Sequence, residues 1–284
     1  MKDDIIKIET ELSQYQGEDR VISSHELAEE IKTTARVYSK IGTGFPTLDR
    51  LLGQTEHGEL IIVTGPTGEG KTTLLMTITR KLAENNVPAV WFTLEVTPQQ
   101  FIEKLSNGAD LPLFYIPRKN EENTIVWIEK RIIESKVKYN TQVVFIDHIH
   151  QIFSLERFSK NVSLEIGDLV AKIKQIAIDH HLVVYLIAHT KDNPMSPTAE
   201  PRKEDIRDSG LISRLADTII GIWRIPESDD GKSGKRKPIQ ENDTKSKIAV
   251  FKNRRNGKQG SFVAYHKDHT LIEANIVKDY EIEY

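Results

Sequence analysis

The nine residues GPTGEGKTT, from 65 to 73, leave little freedom in how this chain can fold. They satisfy the pattern G-x-x-x-x-G-K-[ST] at every fixed position, follow the apolar run LIIV and precede the helix-forming run LLMTIT. Strand, glycine-rich turn and helix in that order make a phosphate-binding loop. Gly65, Gly68 and Gly70 let the backbone turn tightly and aim its N–H groups inward, and a helix starting near Lys71 adds its positive end. Pro66, Thr67, Glu69 and Thr73 complete the cradle. Lys71 reaches the β- and γ-phosphates of a nucleoside triphosphate, and the Thr72 hydroxyl is placed to ligand magnesium. ATP and Mg²⁺ are therefore the expected ligands.

The chain has 284 residues, enough for one large or two small domains, and a net charge of −3. That charge excludes a uniformly basic nucleic-acid binder, so any such contact has to come from local patches. The absence of cysteine excludes disulfides, thiolate metal sites and cysteine nucleophiles. The start, MKDDIIKIETELSQ, lacks an apolar signal core and no run is long enough to span a membrane. A soluble, cytoplasmic protein with no membrane partner is expected.

Residues 1–20 read as a polar arm, and residues 24–36 as a short helix with a capping-box spacing at Ser23 and Glu26. Its apolar stripe, Leu27, Ala28, Ile31 and Ala35, has to pack either on its own domain or on a neighbouring subunit. From residue 41 the pattern alternates. Strands are expected at 87–94, 143–146 and 182–188, and helices at 98–106, 121–138 and 162–181, with LPLFYI a possible short strand. This predicts an α/β fold with a mostly parallel central sheet flanked by helices. Strands at 216–223, 247–252 and 261–266 predict a C-terminal antiparallel edge, interrupted by a long polar loop after the first. The domain reading is an arm and linker helix over 1–40 and one core over 41–284.

Ligands of such sheets gather at the carboxyl ends of the strands, and there the sequence places Glu95, Asp147 and His189. Asp147 ends VVFID and suits a magnesium-holding carboxylate. Glu95 suits the group that orients or deprotonates an attacking water. His189 could contact a γ-phosphate and report its loss, or be a satisfied structural histidine. His148 and His150, lacking a further ligand at metal spacing, are expected to support the site or to be solvated.

The strings GPTGEGKTT, TLE, VVFIDHIHQIF, LIAHT, DIRDSGLISRLADTIIGIWR and FKNRRNG, in this order, resemble the hexameric replicative helicases with a RecA-like motor. That group includes bacterial DnaB, phage primase-helicases and mitochondrial Twinkle. The resemblance runs over residues 41–266 and implies a RecA-like P-loop NTPase core. It implies that Glu95 is the catalytic glutamate, Asp147 a magnesium ligand and His189 the γ-phosphate sensor. Arg254, with Lys252 two residues earlier, matches the finger that enters the neighbouring subunit's ATP site. The doubled Arg254-Arg255 leaves two candidates, of which the KNR-x-x-G spacing favours Arg254. Arg224 is similar to an arginine that stacks on the nucleotide base, its alternative being a solvated strand-end residue.

The resemblance also implies a track of single-stranded DNA, held in a channel by Lys191, Arg202, Lys203, Arg207, Ser209 and Gly210 through sequence-independent phosphate contacts. It implies a homo-oligomer, a hexameric ring, and leaves open whether a separate primase or loader protein is a partner. Two other readings stay open: a RecA-like recombinase or mediator building filaments on DNA, and a regulatory ATPase that binds no DNA.

Overall fold

The computed structural model describes residues 8, 11–17, 20–34, 40–106, 110–122, 124–153, 162–190, 205–206, 209–225, 244–267 and 269–274. Contacts divide the chain into two units, Met1–Ser39 and Lys40–Tyr284. In the first, helix α1 (Ser24–Thr34) starts where the Ser23 hydroxyl accepts from the Glu26 N–H at 3.1 Å, half of the expected capping box. Its Leu27 and Ile31 are 47% and 57% exposed; Ala35 lies outside the described residues.

The second unit is built on one eight-stranded sheet, ordered β2-β3-β4-β1-β5-β6-β7-β8. The strands are β1 (Leu60–Gly65), β2 (Ala89–Thr93), β3 (Val143–Asp147), β4 (Val183–His189), β5 (Thr218–Ile225), β6 (Lys245–Asn253), β7 (Gly260–Lys267) and β8 (Thr270–Glu273). From β2 to β5 the pairing is parallel, and from β5 to β8 antiparallel. The apolar runs of the central strands lack polar alternation because both faces are covered. Leu60, Ile62, Val144, Ile146, Val184 and Leu186 face one core, shared with α5 (Ile125–Tyr139) and α7 (Val162–Asp179). Ile61, Val63, Val143, Phe145, Val183 and Ile187 face the other, with α2 (Pro46–Leu52) and α3 (Lys71–Glu84). In α3 the residues Leu74, Leu75, Ile78 and Leu82 are buried, each worth roughly 2 kcal/mol in apolar area removed from water.

Three local readings of the sequence change. LPLFYI forms no strand, because only Tyr115 bridges the β2 edge, through Trp91 N–H to Tyr115 O and Tyr115 N–H to Ala89 O. The strand expected over 216–223 runs on to Ile225, since Arg224 and Ile225 pair with Ser246 and Lys245 of β6. The 143–146 strand takes in Asp147 and is followed at once by the short helix α6 (Ile149–Phe153), while β8 had no counterpart in the pattern. The remaining elements are α4 (Pro98–Ser106) and α8 (Ser209–Leu215). The polar loop at 226–243 lies outside the described residues.

Candidate nucleotide-hydrolysis site

The phosphate loop leaves β1 and enters α3 as the motif requires. A Cβ on Gly65 would stand 2.1 Å from the Ile222 carbonyl oxygen of β5, so only glycine fits there. Gly70, the residue before α3, has φ of +105°, which other residues rarely adopt. Lys71 is buried, and its Nζ donates to Gly65 O and Pro66 O, both at 2.9 Å. Burial lowers its pKa, against the opposing pull of Asp147, Glu95 and Glu69. Its ammonium is thus held inside the loop rather than in solvent.

Parallel pairing brings the other candidates to the same edge. Thr64–Gly65 lies beside Ala188–His189 and Thr93 beside Asp147. The Thr72 hydroxyl donates to Asp147 Oδ2 at 2.9 Å. Burial first, and Glu95 beside it, push the Asp147 carboxyl up to about 6, while Thr72 and Lys71 work against the rise. A hydroxyl and a buried carboxylate next to a phosphate cradle are the hard oxygen donors that magnesium takes, and a divalent cation would favour the ionised carboxylate. Thr72 and Asp147 therefore fit the expected ion.

A cavity of about 600 Å³ opens beside these groups, lined by Thr72, Glu95, Asp147, Arg224 and His266 among others. A second, of about 700 Å³, lies by α5, Tyr115 and Arg131; it touches neither the loop nor the strand-end carboxylates. The smaller cavity is the nucleotide candidate on chemistry, not size. Arg224 reaches it from within β5, where its own N–H donates to Glu69 Oε2 at 2.6 Å. His266, on β7, carried no signal in the sequence, because a single histidine in an antiparallel strand matches no motif. Its ring lies 3.3 Å from where a Gly70 Cβ would sit and its Nε2 is 2.8 Å from Ser246 Oγ. Burial, then Arg224, lower its pKa.

Of the two expected placements of His148, supporting the site or solvated, the structure has it buried beside the site, with Nδ1 3.5 Å from Glu95 Oε2 and its ring edge-on to His189 at a centroid distance of 4.2 Å. Glu95, His148 and His189 offer ligand atoms within 4.8 Å of one another. Sequence spacing could not reveal this, because Glu95 and His148 meet only through the β2–β3 register. Nothing is described of the His150 side chain.

At the basic run that ends β6 and enters the turn after it, the three cations part company. Lys252 Nζ donates to Ser213 O at 2.7 Å and Ala216 O at 2.6 Å, capping the carboxyl end of α8. Arg255 is bonded to Glu56, Glu59 and the carbonyls of Gly53 and Gln54. The Arg254 side chain is 67% exposed, 3.8 Å from Asp217 Oδ1, and its N–H donates to Asp217 O. None of the three lines the cavity beside its own chain's phosphate loop. Of the DNA candidates, Lys191, Arg202, Lys203 and Arg207 lie outside the described residues; Ser209 and the exposed Gly210 open α8.

A phosphate loop on the central strand of a mostly parallel sheet, with carboxylates at the neighbouring strand ends, defines a RecA-like nucleoside triphosphatase core. The model of the DnaB-like helicase C-terminal domain matches residues 40–112 and 107–273, and the chain belongs to that family. Replicative DNA helicase DnaB of Leifsonia xyli subsp. xyli is 23% identical over 225 residues, covering 68% of this chain and 49% of that protein. The chain spans about half the length of the curated relatives it matches. Among solved structures, a DnaB-like replicative helicase, solved in a study of its interactions with primase, superposes with a TM-score of 0.67 at 17% identity, over 95% of this chain and 70% of that one. An isolated ATPase domain gives 0.69 at 16% identity, over 87% and 96%. The described residues contain no helix long and apolar enough to cross a membrane.

Proposed function

We propose that this chain is the ATP-driven motor of a replicative-type DNA helicase, working in the cytoplasm as a ring of identical subunits, a hexamer. The ring translocates on single-stranded DNA and so unwinds duplex. The observation that carries the reading is the pairing of a complete loop-side site, Lys71, Thr72, Asp147 and Glu95, with an Arg254 that is exposed and outside it.

Lys71 and the loop N–H groups hold the triphosphate, with Arg224 and His266 beside it. Thr72 and Asp147 would hold magnesium, which would supply charge neutralisation at the phosphates. Glu95 orients the attacking water and accepts its proton, and His189 senses the γ-phosphate. Arg254 enters the neighbouring copy's site, where such a finger raises turnover by about 10³ to 10⁵. Helix α1 packs on an adjacent subunit, which accounts for its exposed Leu27 and Ile31. Lys191, Arg202, Lys203 and Arg207, with Ser209 and Gly210, line the DNA channel. A separate primase or loader protein is a candidate partner.

Mixed rings test this reading. Lys71→Ala and Arg254→Ala variants are each inactive in DNA-stimulated hydrolysis. Mixed in equal amounts, they regain roughly a quarter of wild-type turnover, since random assembly pairs an intact loop with an intact finger at about that fraction of interfaces. A mixture as inactive as its components overturns the shared site. Strand displacement on forked DNA with 3′ and 5′ tails tests the unwinding itself, and DNA-stimulated hydrolysis without displacement favours a filament-forming relative.

A further inference from the structure

We propose that His148 is the residue that positions the Glu95 carboxylate for attack and links it to His189; the proposal rests on the reading of Glu95 as the hydrolytic base. Glu95 stands two residues beyond β2, outside regular structure, with its side chain 53% exposed. A glutamate so placed has several rotamers open to it, and few of them aim the carboxylate at a water in line with the γ-phosphate. A base of this kind needs an anchor.

The anchor at hand is a buried imidazole. His148 directly follows β3 and is 7% exposed, with Nδ1 3.5 Å from Glu95 Oε2. Its ring lies edge-on to His189, the last residue of β4, at 75°. Two rings fixed at the ends of adjacent central strands thus stand behind one half-exposed carboxylate. The same imidazole touches both the base and the proposed phosphate sensor. A shift of His189 on loss of the γ-phosphate therefore reaches Glu95 through one intervening ring, with no further element required.

The two contacts can be separated chemically. Asparagine at 148 places an amide nitrogen close to the Nδ1 position, so it keeps the contact with Glu95 and gives up the ring edge on His189. Glutamine extends toward the Nε2 position and leaves the Nδ1 position facing Glu95 empty. Alanine removes both. A displacement of about 1 Å in a catalytic group costs on the order of 10²-fold, which sets the scale.

The experiment measures kcat and KM for DNA-stimulated ATP hydrolysis, with ATP affinity and thermal unfolding recorded for each variant. His148→Ala is expected to lower kcat about 30- to 100-fold while ATP affinity changes less than about threefold, and His148→Asn to recover to within about fivefold of wild type. Wild-type kcat in His148→Ala, equal losses in the Ala and Asn variants, or a change confined to KM overturns the proposal. If His148→Ala fails to fold, the other pair decides: an active Asn and an impaired Gln variant support it, and the opposite order overturns it. Stoichiometric transition metal in the purified protein, lost in His148→Ala and His148→Asn alike, overturns it in favour of a cation site on the same three side chains. Glu95→Gln separates the two levels. An active Glu95→Gln overturns the base and this proposal together, whereas an inactive Glu95→Gln beside a fully active His148→Ala overturns this proposal alone.

Discussion

The phosphate-loop edge and the basic turn after β6 treat their charges in opposite ways. At the loop, Lys71 and Asp147 are both buried and both shifted toward their neutral forms by that burial. They are held by Gly65 O, Pro66 O and the Thr72 hydroxyl. This arrangement costs stability in the free protein and is relieved by an anion and a cation arriving together. At the turn, Lys252 and Arg255 are tied into the fold, the first to α8 and the second to Glu56 and Glu59, while Arg254 is left in solvent. A ligand would compensate the buried charges of the loop, whereas the cations of the turn already meet partners or solvent. Under the proposed function, the first edge receives a small molecule and the second presents one side chain whose sole ion pair in its own chain, among the described residues, is a 3.8 Å approach to Asp217.

Breaking that contrast begins with Lys71→Ala, which is expected to lower ATP turnover by at least about 10³-fold, measured by phosphate release. Arg254→Ala follows closely, at about 10³ to 10⁵ in turnover, with ATP binding and the unfolding midpoint unchanged. An Arg254→Ala variant that is unstable, or that turns over at the wild-type rate, removes the distinction between the two edges.

Asp147 sharpens the contrast through pH. Its carboxyl is raised in the fold from 3.8 to about 6, so the native state binds the extra proton between those values. The penalty is absent below pH 4, grows as pH rises through that window and is complete above 6, where it reaches at most about 3 kcal/mol. Asp147→Asn should therefore stabilise the metal-free protein more at pH 7.5 than at pH 4.5, and a pH-independent gain in urea unfolding contradicts it. The smallest effect is expected at Arg255: Arg255→Ala should cost about 1 to 2 kcal/mol in urea unfolding, because several partners are lost at a half-exposed site, and leave turnover per folded molecule near wild type.

What could be read in the sequence was local. The phosphate loop spans nine contiguous residues, and Glu95, Asp147 and His189 each end or follow an apolar run that only a buried strand explains. The parallel sheet then places all of them at one edge, so fold and first site followed together. What escaped was set by register and by side chains meeting across long separations. His148 reaches Glu95 across the β2–β3 pairing, and His266 meets Gly70 only after β7 has added to the sheet beyond β6. Lys252 and Arg255 differ from Arg254 in which carbonyls and carboxylates lie in front of them, which KNRR does not encode. Spacing favoured Arg254 over Arg255; the ion pairs of Arg255 now supply a physical reason for the same choice.

The backbone of Arg254 is pegged while its exposed side chain has only a 3.8 Å approach to Asp217, for its N–H is bonded to Asp217 O as Asp217 in turn accepts from the Leu60 N–H and Lys174. Two filters of different kinds thus act on neighbouring codons. In a library varied at every position, selection for folding alone should leave residue 254 open to almost any side chain and deplete changes at 217 and 255. Selection for growth should close 254 as well. If the proposed ring holds, the difference between the two surveys records what the subunit contributes to its neighbours and not to itself.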